Sequence, residues 1–337
     1  MKILLTGNIF HGYDLDLQDA IEELGHETVL LFNNIQGPFN VLRDLNKKII
    51  YGILPSKYNV NYFKTKSIEK YNQDILKLIK NNNFDLVIFI GGKTVFEETL
   101  NNIKIPKVLW FMDGIKYYDF LIPKFKLFDK LFFFEPTDIS FLKNKYDSSL
   151  LNLGFSKKRF FPINFKKKYD LSFIGSYYEN RNSLLARMSD YQYESIIIGD
   201  FKKSKNEWIK KKNLKQQITI QETNQIFNTS KININIHHQQ SIEGLNVRSF
   251  ELLGTGNVQI LENKKVAMEL FDDGINCIFY ENENEFVDKI NFYLKNDTLL
   301  ENIRKNAYEI AVNNHTWNHR IQEMLTNLNE NKIIKIA

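Results

Sequence analysis

The chain reads as an α/β protein made of two successive halves, each a doubly wound parallel sheet with helices on both faces. Three observations lead there. Short apolar runs, such as Lys2–Thr6, Asp85–Ile90, Lys107–Met112, Tyr169–Ile174 and Val258–Leu261, alternate with stretches of helical periodicity, as expected of strands buried on both faces. Most of these runs end in glycine: Gly7, Gly91-Gly92, Gly114, Gly175 and Gly199. The pattern breaks at residues 154–168, a basic, irregular stretch carrying Pro162, and then starts again.

In the first half, Lys2–Thr6 is a strand followed by Gly7 and His11. Asp14–Leu24 is helical and Gly25 stops it. Glu27–Phe32 is the second strand, and residues 33–66 read as loop with some helix. Ser67 suits the N-cap of a helix reaching about Asn82. Strands Asp85–Ile90, Lys107–Met112 and Lys130–Phe134 follow, then a helix near 138–145 and a short strand at Ser149–Leu153.

In the second half, Tyr169–Ile174 and Ser195–Ile198 are strands separated by a helix over Arg181–Ser189. A short strand is expected at Ile218–Ile220, a helix over Glu222–Thr229 and a strand at Lys231–Ile236. A helix holding Glu251 leads to strands Val258–Leu261 and Cys277–Tyr280. Helices over Glu285–Lys295, Thr298–Asn313 and Trp317–Leu328 close the chain. The domains are therefore 1–155 and 169–314, with 315–337 as a terminal helix. Ligands of open parallel sheets bind beyond the strand carboxyl ends, so two such sheets would face each other across a cleft.

Composition narrows the partners. The chain has 337 residues, 45 basic against 40 acidic, for a net charge of +5. That surplus is too small to argue for nucleic acid. Cys277 is the only cysteine, so an intrachain disulfide is impossible, which fits a cytoplasmic protein. No apolar run approaches the roughly 18 residues of a membrane span, so any membrane contact, for instance at the inner face, would be peripheral. Lys166–Lys168, Lys202-Lys203 and Lys210–Lys212 read as solvated charge or as contacts to such a surface. Gly7-Asn-Ile-Phe-His-Gly12 is a poor imitation of a dinucleotide fingerprint.

The chemistry concentrates in Glu243-Gly-Leu-Asn-Val-Arg-Ser-Phe-Glu251, followed by Gly254-Thr-Gly256. If a helix begins near Glu243, both acids share one face. Gly244, Leu245 and Asn246 would then offer backbone N–H groups at a helix N-terminus, a site for phosphate. A second acid could accept the hydroxyls of a sugar. Together these suit a nucleotide-diphosphate sugar.

Three stretches resemble the CgeB-like glycosyltransferases, a branch of the GT-B group: Tyr169-Asp-Leu-Ser-Phe-Ile-Gly-Ser-Tyr-Tyr-Glu-Asn-Arg181, Ile234-Asn-Ile-His237 through Glu251 to Gly256, and His315-Thr-Trp-Asn-His-Arg320. Val108–Asp113 and Phe132–Pro136 are also similar to family segments. The resemblance implies a GT-B layout with two Rossmann-like domains, donor bound by the second and acceptor by the first. It also implies retention, a last helix crossing back to the first domain, and no metal or other cofactor. The histidines lack zinc-type spacing, and Asp14-Leu-Asp16 reads as a helix cap.

On this reading Glu251 accepts the donor ribose, and Glu243, which matches the first acid of the Glu-x7-Glu pattern of many retaining GT-B enzymes though CgeB-like members often carry Asp there, touches the donor sugar. Backbone at Gly244, Leu245 and Asn246, with Arg181 or Arg248, stabilises the leaving diphosphate. Gly175 and Ser176 let the backbone approach phosphate, and His237 is a donor-side contact or a structural histidine. Asp113, at the end of a first-domain strand, would orient the acceptor hydroxyl or act as base. The acceptor could be a glycan, a lipid-linked glycan, a protein or a small molecule. A sugar-nucleotide epimerase on the same scaffold and a non-catalytic binding or scaffold protein are the competing readings.

Overall fold

A computed structural model describes residues 1–8, 12–33, 60–215, 218–239 and 241–335. The expectations for His11 and for residues 34–59 lie outside the described residues. The chain divides into two compact units: Met1–Leu151 with Ile321–Ala337, and Asn152–Arg320.

Unit 1 runs β1 (Lys2–Asn8), α1 (Tyr13–Glu23), β2 (Glu27–Asn33), α2 (Val60–Asn81), β3 (Leu86–Ile90), α3 (Glu97–Asn102), β4 (Lys107–Phe111), 3₁₀ turns at Ile115–Tyr117 and Asp119–Leu127, β5 (Lys130–Phe133), α4 (Pro136–Leu142) and β6 (Ser148–Leu150). The sheet is parallel in the order β2-β1-β3-β4-β5-β6. Every residue of β3 is buried, as a strand covered on both faces requires. Leu4, Val87, Phe89, Leu109, Phe111, Leu131 and Phe133 pack with Ile75 and Leu100 into its core.

Three local readings are corrected in this unit. Ser67 lies inside α2 and does not cap it. Asp14 and Asp16 sit in the first turn of α1, whose N-cap is Gly12, so they favour the helix dipole instead of capping. The helix after β5 starts at Pro136, because Glu135 accepts from Thr137 N and proline suits a first turn.

Unit 2 runs β7 (Tyr169–Ile174), α5 (Glu179–Ala186), β8 (Ser195–Ile198), α6 (Glu207–Lys212), β9 (Asn213–Lys215), α7 (Ile220–Thr229), β10 (Ser230–Asn235), α8 (Val247–Gly254), β11 (Val258–Glu262), α9 (Lys265–Leu270), β12 (Ile278–Tyr280), α10 (Glu283–Tyr293) and α11 (Asp297–Asn314). The last helix, α12 (Trp317–Glu330), starts in it. Its sheet is parallel in the order β12-β11-β10-β7-β8-β9.

The strand expected at Ile218–Ile220 is instead the start of α7. Thr219 and Glu222 form a reciprocal capping box there, Glu222 N donating to Thr219 Oγ1 at 3.1 Å and Thr219 N to Glu222 at 2.8 Å. The Lys166–Lys168 run is not uniformly solvated. Lys167 Nζ donates to Asn228 O at 2.9 Å and Asn257 Oδ1 at 2.8 Å. Burial, with Arg304 nearby, brings its ammonium down to about 8.

The stretches where the chain joins and leaves unit 2 are clasped side by side. Phe155 N donates to His315 O at 3.1 Å, and Trp317 N to Phe155 O at 3.0 Å. Arg320, buried, donates from Nε to Leu153 O at 2.9 Å and from Nη2 to His315 Nδ1 at 2.7 Å. Arginine only donates, so His315 Nδ1 is the acceptor and its ring is neutral. Burial, reinforced by Arg320, holds His315 down at about 3.

Candidate functional site

In unit 2 the strand order reverses between β7 and β10, where a parallel sheet opens its ligand crevice. The carboxyl ends there are crowded with backbone. A Cβ on Gly199, at φ +150, would lie 2.0 Å from Gly175 O, so only glycine fits. A Cβ on Gly175 would come within 3.2 Å of Arg181 Nη1, so this glycine leaves room for that guanidinium to lie across the turn.

Arg181, at the start of α5, bridges the two central strands. Its Nε donates to Ile236 O, just beyond β10, at 3.0 Å, and its Nη1 to Ser176 O, just beyond β7, at 3.0 Å. Its guanidinium lies over the rings of Tyr178 and Phe173, with centroids at 5.1 and 5.7 Å. Burial brings Arg181 down to about 10; Tyr178 opposes the shift and the positive charge of Arg248 adds to it.

The helix holding Glu251 begins at Val247, later than expected from the sequence. Gly244, Leu245 and Asn246 therefore precede α8, and Glu243 is not on it. The reason is Asn246, whose side chain caps Ser249 N at 3.0 Å. Asn246 Nδ2 donates to Asn235 Oδ1 at 3.0 Å, and Asn235 Nδ2 to Ser249 Oγ at 2.9 Å and Gln259 Oε1 at 3.1 Å. Gln259 Nε2 closes the network on Ser249 O at 2.9 Å. This buried amide network fixes the start of α8 against β10 and β11.

His237 is buried, with Nε2 3.3 Å from Ser249 Oγ. Burial, then Lys264 and Arg181, hold it well below the usual histidine range, so it is neutral. Its Nδ1 has no partner among the described residues. Glu251 is 1% exposed, and Arg248 Nη1 stands 2.5 Å from its Oε2 with its guanidinium over Phe227. Glu243 borders a polar recess of 470 Å³, shared with Ile242, Glu262, Lys264, Tyr280 and Glu281. There Lys264 Nζ holds Ser241 O at 2.7 Å and Ile242 O at 2.8 Å.

Gly175, Ser176, Arg181, His237, Asn246, Arg248 and Glu251 are thus brought together around the ends of β7 and β10. Gly244 and Leu245 lead into the Asn246 cap, and Leu245 is buried. Lys264 was not anticipated from the sequence; its position two residues beyond the β11 strand was the available signal.

Asp113 follows β4 in unit 1. Its Oδ2 is 2.6 Å from Lys93 Nζ, and that ammonium lies 3.7 Å from the Tyr118 ring centroid. Lys93 was also missed, although it directly follows the Gly91-Gly92 strand end. It stands beside the β1/β3 reversal of this sheet, where Thr94 Oγ1 is 3.4 Å from Asn8 Oδ1.

Known structures share this architecture. A sucrose-phosphate synthase from Thermosynechococcus elongatus aligns over 98% of both chains with TM-score 0.67 and 10% identity. A glycosyltransferase from Rickettsia africae aligns over 100% of this chain and 99% of its own, at TM-score 0.65 and 16% identity. HepE from Anabaena, in complex with UDP-glucose, aligns over 98% and 100%, at TM-score 0.65 and 14% identity. The fold is GT-B. Residues 181–326 of this GT-B chain also match the family model described as glycosyl transferase-like. That matched domain holds Arg181, His237, Arg248 and Glu251, whereas Gly175 and Ser176 precede it. No curated protein matches the chain. Among the described residues, no helix is long and apolar enough to cross a membrane.

Proposed function

We propose that this chain is a CgeB-like glycosyltransferase that moves a sugar from a nucleotide-diphosphate donor to an acceptor hydroxyl, with retention. The observation that carries the reading is the pair of guanidinium groups at the β7/β10 reversal. Arg181 donates to two main-chain carbonyls, and Arg248 is close enough to lower its pKa. Glu251 neutralises Arg248. A donor diphosphate would neutralise the remaining positive charge, and its negative charge grows as the sugar leaves. HepE, bound to UDP-glucose on the same fold, supports the donor class.

In this reading Gly175 and Ser176 admit the diphosphate to the main chain, and Arg181 and Arg248 hold it without a metal. His237 offers its unpartnered Nδ1. Glu251, paired with Arg248, accepts from ribose, and Glu243 approaches the sugar. Asp113, in unit 1, orients the acceptor hydroxyl of a glycan, lipid-linked glycan or protein.

A thermal-shift series with UDP, GDP, dTDP, ADP and CMP and their common sugar conjugates tests the reading. Stabilisation by one diphosphate series, lost in Arg181→Ala, supports it. Equal stabilisation of the native protein and Arg181→Ala would remove Arg181 from the donor site.

A further inference from the structure

A buried carboxylate beside Asp113 is not used by the reading above. Asp138, in the first turn of α4, is 6% exposed, and its Oδ2 accepts Ile115 N at 2.9 Å. Its neighbour Glu135 is fully buried and accepts Thr137 N at 3.3 Å and Thr137 Oγ1 at 3.0 Å. Burial, reinforced by Glu135 and opposed by the Ile115 N–H, raises the Asp138 carboxyl to about 6. Two buried carboxylates this close destabilise one another, and an asparagine could accept the same N–H.

The arrangement of the turn explains what the carboxylate does. Asp113 and Tyr118 flank Ile115 in sequence, and both grip Lys93, one through its carboxylate at 2.6 Å and one through its ring at 3.7 Å. Tyr118 N also donates to Ile115 O at 2.7 Å. Ile115 is therefore the middle of a jaw that closes on the Lys93 ammonium, and Asp138 fastens that middle.

We infer that Asp138 is a positioning residue: by holding Ile115 N–H it fixes the 113–118 turn, and through it the Lys93–Asp113 pair. Its place in the reaction rests on the acceptor-side role proposed for Asp113. The pinning itself does not, and can be read without any substrate.

The test is competitive acetylation of the ligand-free protein with acetic anhydride, each lysine followed by peptide mass spectrometry. Lys77, exposed on α2, is the internal standard. Native Lys93 should label slowly, and Asp138→Ala should label it about tenfold faster, the range for losing a charge-assisted hydrogen bond. Lys77 should not change. Asp138→Asn, which can still accept the N–H, should return Lys93 to within about twofold of native. If Asp138→Ala does not fold, Asp138→Val removes the acceptor while keeping the space filled. A native labelling rate at Lys93 in the folded Ala or Val variant overturns the inference. So does acceleration in Asp138→Asn equal to that in the Ala or Val variant. An acceptor-side failure of Asp113 would appear only in transfer assays and would leave these rates as expected.

Discussion

Arg248 and Glu251 stand one helical turn apart on α8, joined at 2.5 Å, with the Glu251 side chain 2% exposed and the Arg248 side chain 25% exposed. The pair is held in place because the amide network locks the start of the helix. Removing the carboxylate strands the cation, which costs about 3 kcal/mol when a pair is buried and less here, where Arg248 is partly hydrated. We expect Glu251→Ala to lower stability in urea and to abolish stabilisation by nucleoside diphosphates. Glu251→Met, which fills the space but accepts no hydroxyl, separates the two effects. Retained nucleotide stabilisation in folded Glu251→Met would show that the residue serves the fold alone.

Arg181 should be intolerant even of lysine. An ammonium cannot reach both the Ile236 and Ser176 carbonyls with a planar fork. Arg181→Lys is expected to weaken diphosphate affinity about tenfold and Arg181→Ala by more, the scale of charge-assisted hydrogen bonds. Titration calorimetry with the diphosphate that stabilises the native protein reads this directly.

Gly199→Ala should destabilise by more than about 1 kcal/mol. The added methyl meets Gly175 O at 2.0 Å, a main-chain atom that cannot swing aside. A smaller change in urea unfolding would mean that the ends of β7 and β8 separate more readily than their packing implies.

The Arg320–His315 clasp predicts acid sensitivity. His315 sits near 3 when folded and near its ordinary value of 6.5 when unfolded. Between those values the unfolded chain holds a proton that the folded chain has released, so stability rises with pH through this window and is lost toward its acid end. Urea midpoints measured at pH 4.5, 5.5 and 7 should climb, and His315→Gln should flatten the slope. An unchanged slope in the variant would assign the acid sensitivity to other groups.

Much of this architecture was legible because strands buried on both faces are apolar from end to end. β3 carries that mark in every residue, and the glycine that ends β7 marks the turn holding Gly175 and Ser176. The start of α8 was misjudged because Gly244 looked like an opening turn. The competing signal, Asn246 three residues ahead of Ser249, was in the sequence and decides the helix. Thr219 and Glu222 likewise outweigh the β-branched run around them. Lys167 and Asp138 could not be read locally: their burial comes from Asn228, Asn257 and Ile115, residues distant along the chain.

The ladder between Phe155 and the His315–Trp317 segment has a topological meaning. The chain passes into unit 2 and out of it through one doorway, so residues 152–320 form an insertion whose two ends are already joined by hydrogen bonds. Neighbouring ends of this kind are what allow a segment to be moved between hosts as one piece.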